Sequence, residues 1–249
     1  MRGRHALVLS TIVLAHAGVV QAQSADVALT AAQMSAACAP SQVMTPPTPT
    51  LHVVGAQDTA PRMLFGPREL VILDGGTQAG VQLGQEYYIR RSYSFGPPPS
   101  KTGPRTITTL GWLKVVSLNE TTAIAQIDST CGAVMAGDYL EPFTAPTAVE
   151  AESGAPFSTL DFSALARVMF GKEERRLGST GDFMMLERGN TMLEVGRRVA
   201  VYRDLRSTGV PLTAIGEGVI VAMSDGTPMM RITSTRDAIQ SGDYVVPHR

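Results

Sequence analysis

Short apolar stretches, each only four or five residues long and bounded by turn residues, recur from Leu70 onward. Leu70–Leu73, Tyr87–Arg91, Leu113–Val116 and Ala123–Ile127 are rich in Val, Ile, Leu or Tyr, the composition of strands that lie half buried on a pleated surface. They are too short and too closely spaced for the crossovers that parallel strands need. An antiparallel barrel is the predicted result, because closure removes the exposed edges of a small sheet.

The pattern occurs twice. Gly111 to Pro142 aligns without a gap to Gly216 to Pro247, with about a third of the paired positions identical. Val116 matches Val221, Thr122 matches Thr227, Ile127 matches Ile232, Ser129-Thr130 matches Ser234-Thr235, and Gly137-Asp138-Tyr139 matches Gly242-Asp243-Tyr244. Upstream, Tyr88-Ile89-Arg90-Arg91 pairs with Ala200-Val201-Tyr202-Arg203, Val81 to Gly84 with Leu193 to Gly196, Leu73 to Gly76 with Leu186 to Gly189, and Leu64-Phe65-Gly66 with Met169-Phe170-Gly171. The extra residues Lys172 to Gly181 read as a longer hairpin tip, since insertions belong in turns. The predicted fold is all-β, with two tandem copies of a small SH3-like antiparallel barrel, residues 61–143 and 160–249. A linker at 144–159 joins them. A short N-terminal helical and extended segment with a Pro-rich connector, residues 23–60, precedes them.

Residues 1–22 read as a secretory signal. Arg2 and Arg4 give a basic start, Ala6 to Val20 is mostly apolar, and Val20-Gln21-Ala22 offers a cleavage site after Ala22. The apolar run is shorter than the roughly 20 residues that span a bilayer, and nothing later could span one as a helix. The expected location is periplasmic or extracellular. Ala-rich sequence up to about Cys38 predicts one short helix, and Pro40, Pro46, Pro47 and Pro49 predict an extended connector.

A formal charge of −1 gives none of the basic footprint of a nucleic-acid binder. Glu173-Glu174 beside Arg175-Arg176 reads as a solvated turn. His52 and His248 are the only histidines outside the leader, and neither lies beside a nucleophile motif. No cofactor and no metal are implied, and no catalytic residue is assigned. A cleft joining His52, a carboxylate and a Ser or Thr hydroxyl would favour an enzyme.

The recurring residues are explained by turns. Gly76, Gly84, Gly189 and Gly196 flank strands, where glycine supplies a positive φ or a close approach. Gly137-Asp138 and Gly242-Asp243 precede a final strand, where an aspartate accepts nearby backbone N–H groups. On that reading Asp→Asn costs about 1 kcal/mol or less. Tyr93 and Phe95 open a proline-rich loop reaching Lys101, a possible contact surface to which Trp112, the single tryptophan, could belong. Cys38 and Cys131 are the only cysteines, and an exported chain meets an oxidising compartment, so a disulfide between them is expected.

Gly76, Gly80-Val81, Gly84, Gly111, Gly137-Asp138 and Pro142, with their second-copy partners, form an order that resembles small barrel modules of bacterial envelope proteins. The C-terminal domain of flagellar assembly protein T is one such module, and similar ones follow LysM domains. The resemblance implies structural or binding parts rather than catalytic ones. The expected function is therefore a non-enzymatic envelope adaptor or assembly factor, its partner another envelope protein or a cell-wall polymer. The alternatives are a hydrolase acting on envelope polymers and a glycan binder.

Overall fold

The computed structural model describes residues 29–45, 47–58, 62–94, 105–147, 160, 162–163, 165–187, 189, 192–205 and 211–248. The leader, Phe95 with the rest of its loop, and most of the 144–159 linker lie outside the described residues.

The chain is mostly β, as the apolar stretches predict. An eight-residue helix, α1 (Ala31–Cys38), comes first. Its start is fixed by a capping box: Gln33 N–H donates to the Thr30 hydroxyl, and Thr30 N–H donates back to the Gln33 side chain. Strand β1 (Ser41–Val43) follows. Six strands, β2 (Val53–Ala56), β3 (Leu70–Leu73), β4 (Glu86–Ser94), β5 (Arg105–Leu118), β6 (Ala123–Thr130) and β7 (Tyr139–Pro142), then pair in the order β2-β3-β6-β5-β4-β7, and β1 adds to the near end of β5. The sheet curls until its outer strands meet: Val53 N–H donates to the Asp138 carbonyl and Gly137 N–H to the Val53 carbonyl.

The second unit contains β8 (Ala166–Gly171), β9 (Leu177–Gly178), β10 (Phe183–Glu187), β11 (Arg198–Arg203), β12 (Thr213–Ser224), β13 (Thr227–Thr235), β14 (Ile239–Gln240) and β15 (Tyr244–Pro247). Six of them close an antiparallel barrel in the order β10-β13-β12-β11-β15-β8. Read from β8, this order is the order of the first unit read from β2. Each unit encloses its own apolar core. Leu73, Ile89, Leu113 and Ile127 are buried in the first, and Met184, Val201, Ile220 and Ile232 in the second.

Two details of the sequence alignment are corrected. The strand that takes the place of β8 is β2, not the stretch Leu64-Phe65-Gly66: Gly242 N–H bonds the Val168 carbonyl as Gly137 bonds Val53. Phe65 instead bridges Val134, as Gly178 of β9 pairs with Ile239 of β14. The first sheet thus begins ahead of residue 61, in what the sequence reads as connector. The aromatic pair Phe65 and Phe170 drew the alignment to the wrong strand.

The turn glycines divide by cause. Gly84 and Gly196 hold φ near +78° and +93°, the left-handed region that glycine enters without strain, and their N–H groups bond the Val115 and Ile220 carbonyls. Gly76 has extended backbone, and a Cβ there would collide with the Asn119 carbonyl.

Candidate functional site

Each unit is locked by a buried carboxylate. Asp138 is 2% exposed and Asp243 3%. Arg91, on β4, donates from Nε to Asp138 Oδ1 at 2.6 Å and from Nη2 to Oδ2 at 2.8 Å. Arg203, on β11, makes the same two bonds to Asp243 at 2.9 and 2.8 Å. Each aspartate also accepts a backbone N–H three residues back, from Met135 and Gln240. Each arginine reaches a loop carbonyl as well, Ala133 and Ala238. The aspartates thus accept turn N–H groups, as the sequence reading has it, and each is in addition held by an arginine from across the sheet. The bonds to Asp138 and Asp243 raise Arg91 and Arg203 above the ordinary arginine range. Two charges held this way fix a strand against a loop, and the pairing satisfies both.

Cys38 and Cys131 are joined in a disulfide, with Cα atoms 5.5 Å apart. The bond ties α1 to the outer face of the first unit. There Ala37 packs with Tyr88 and Trp112, with Met34 and Phe143 alongside. The Phe143 ring lies 4.6 Å from Tyr88 and 5.5 Å from Trp112, centroid to centroid. Trp112 is only 7% exposed, so it is the floor under α1 and not a free contact surface. Tyr93 is half-buried on β4, its hydroxyl 3.4 Å from Arg91 Nη1.

The N-terminal segment also touches the second unit. Ala39 packs with Met185 and Met229. The Ser224 and Thr227 hydroxyls donate to the Gln42 carbonyl and to its side-chain oxygen, at 2.8 and 3.3 Å. Lys172, in the inserted tip, donates to the Cys131 carbonyl at 3.2 Å, and burial lowers its pKa. Glu173 to Arg176 are exposed, as a solvated turn should be. A cleft of about 250 Å³ lies beside the disulfide, lined by Lys172, Arg175, Asp182 and Phe183 among others.

A larger groove, about 370 Å³, opens on the second unit between Ala200, Tyr202, Glu217, Thr235, Arg236 and His248. Its place in the fold is informative. Ala200 pairs with Glu217 across β11 and β12 as Tyr88 pairs with Trp112 across β4 and β5. In the gapless alignment Arg236 stands for Cys131 and His248 for Phe143. The groove is therefore the face that α1 covers in the first unit, with its apolar floor exchanged for polar groups. Arg198 Nη2 lies 3.3 Å from Glu217. Burial, and then the charge of Arg198, lower the His248 pKa.

His52 meets half of the condition for an enzyme. Its Nδ1 lies 3.0 Å from Asp74 Oδ2, and its backbone N–H bonds the same carboxylate. Among the described residues no Ser or Thr hydroxyl bonds the ring. No cluster of His, Cys, Asp and Glu suited to a metal occurs among them, and no helix among them is long and apolar enough to cross a membrane.

No protein-family model matches the chain, and no curated protein is similar to it in sequence.

The sequence singled out the aspartates, the cysteines and Trp112, but missed the arginines that hold the aspartates. The signal was present: Arg91 and Arg203 are aligned basic residues of the two similar stretches of sequence.

Proposed function

We propose that this protein is an exported envelope adaptor, built from two copies of one SH3-like barrel module, that binds a partner through the polar groove of its second module. The common pairing order and the repeated Arg–Asp lock support a duplication. The observation that carries the binding reading is the paired fate of one face. In the first module it receives α1 of the chain itself, and in the second it is a polar groove with Leu160 bridging His248 and Phe162 packed on Tyr202 along its rim. A disulfide belongs to an oxidising compartment, which agrees with export by residues 1–22. The likeness to the modules of flagellar assembly protein T fits the same reading, since those parts bind or build and do not catalyse.

Two measurements test it. Fractionation of cells making the full chain should place the processed protein outside the cytoplasm, starting at Gln23. A photo-crosslinking residue at Thr235 should capture one defined envelope partner. The same residue at exposed Val116, on the first unit, should not. Cytoplasmic, unprocessed protein ends the export reading, and equal capture from both positions ends the binding one.

A further inference from the structure

We propose that the N-terminal segment from Ala31 to Val43 is a strap that holds the two units in one orientation, and that the Cys38–Cys131 disulfide is its redox-sensitive latch. Reduction by a dithiol frees the second unit from the first while both barrels stay folded. The inference goes beyond the reading of the groove and does not depend on what the groove binds.

One side of the strap belongs to the first unit. Ala37 packs on Tyr88 and Trp112, Cys38 is bonded to Cys131, and Ser41, Gln42 and Val43 pair with Ile107, Thr106 and Arg105 of β5. The other side belongs to the second unit. Ala39 is buried against Met185 and Met229. The tip between β12 and β13 clasps the strap beyond it: Ser224 Oγ donates to the Gln42 carbonyl at 2.8 Å, Thr227 Oγ1 to Gln42 Oε1 at 3.3 Å, and Met44 N–H donates to Asp225 Oδ2 at 3.2 Å. A direct bond between the units, from Lys172 to the Cys131 carbonyl, ends on the bridged cysteine. α1 itself stands off from the second unit: Ala31, Ala32, Ser35 and Ala36 face Val219, Val221 and Thr233 across a cleft of about 210 Å³. The second unit is gripped between Ala39 and Met44, directly after the bridge.

Domains joined in one chain move relative to each other unless their interface is large and apolar. Here the strap offers the methyls of Ala37 and Ala39, a three-residue strand and a few hydrogen bonds. An eight-residue helix is marginal by itself. The bridge supplies what these lack. Only Ala39 and Pro40 separate Cys38 from β1, and both are buried. Pro40 has a fixed φ, and Ala39 before it is extended, so a position set at Cys131 is passed to Ser41 and Gln42 with little slack.

Both cysteines are half-buried and line the cleft of about 250 Å³, so a small dithiol can reach the sulfurs. The exchange moves two electrons. A thiolate of the reductant attacks one sulfur and the Cys38–Cys131 bond breaks. The second thiol of the reductant then resolves the mixed disulfide, and both cysteines end as thiols carrying the two protons that the dithiol gives up.

The test uses the full mature chain, isotope-labelled and weakly aligned, with residual dipolar couplings read separately from the strands of each barrel. We expect a single alignment tensor to fit both units in the oxidised protein. With dithiothreitol, and in C38S/C131S, the units should need separate tensors whose magnitudes differ at least twofold. A39E keeps the bridge but sets a carboxylate against Met185 and Met229. It should separate the units while Trp112 emission holds the oxidised wild-type wavelength, because α1 stays docked. The dispersed methyl shifts of Ile89 and Ile232 should persist in every state, since each lies in the core of its own barrel. One common tensor after reduction, two tensors already in the oxidised protein, or an A39E that aligns as wild type overturns the inference. So does loss of either core's shifts on reduction, which would make the bridge a support of the fold and not of the arrangement.

Discussion

Arg91 grips Asp138 through two parallel bonds, at 2.6 and 2.8 Å, and the carboxylate is almost fully buried while the guanidinium keeps one edge toward solvent. The pair joins the middle of β4 to the loop that leads into β7. Removing Arg91 leaves a buried carboxylate with one backbone N–H from Met135. Arg91→Ala should therefore cost about 3 kcal/mol, the range for breaking a buried pair, and Arg203→Ala about the same.

Asp138→Asn is the sharper variant, because the amide keeps the turn bond and loses the charge. A turn-only role sets its cost at about 1 kcal/mol or less. The structure sets it higher, about 2 kcal/mol, since Arg91 then faces an amide NH2 where it had a second acceptor. Urea unfolding of Asp138→Asn and Asp243→Asn measures this, and losses below about 0.5 kcal/mol at both positions would return the aspartates to simple turn residues.

The disulfide should be complete in protein from an oxidising compartment, giving no reactive thiol in denaturant without reductant. The bridge closes a separation of 93 residues. Cys38→Ser with Cys131→Ser should cost about 4 kcal/mol in the chain-entropy account. Trp112 reports on the cause. It is the single tryptophan and lies under α1, so loosening the helix should shift its emission to longer wavelength. Destabilisation with unchanged emission would show that the bridge constrains only the unfolded chain.

Periodicity exposed what repeats, and sequence spacing hid what pairs. Strand content, the antiparallel barrel and the cysteine pair were legible, because each is written in local composition or in residues too few to pair otherwise. β2 was not. Val53-Val54-Gly55-Ala56 is short, follows four prolines and has no good match to Ala166–Gly171, so only backbone bonds to Gly137 and Asp138 place it. The Arg–Asp locks were half legible. Both arginines and both aspartates stood in the alignment, but they are separated by 47 and 40 residues, and contact across a sheet is set by register. The role of Trp112 was hidden for another reason: its partner is α1, a segment outside the two aligned stretches, so the alignment offers no comparison for it.

His248 supplies a dependence on pH. Burial is the first cause of its lowered pKa and the charge of Arg198 the second, with Glu217 opposing them. The folded state therefore favours the neutral ring. Above the unfolded value, about 6.5, both states are neutral and the contribution is fully present. As pH falls below that value the unfolded chain takes up a proton that the folded chain refuses, so stability is lost until the folded pKa is also passed. The second unit should thus unfold at lower urea as pH drops from 7 toward 5. His248→Gln keeps a polar side chain at the groove and removes the titration, so it should flatten that part of the profile while leaving stability at pH 7.5 within about 1 kcal/mol. A wild-type midpoint that holds constant or rises between pH 7 and 5, or an equal slope in His248→Gln, would assign the dependence to other groups.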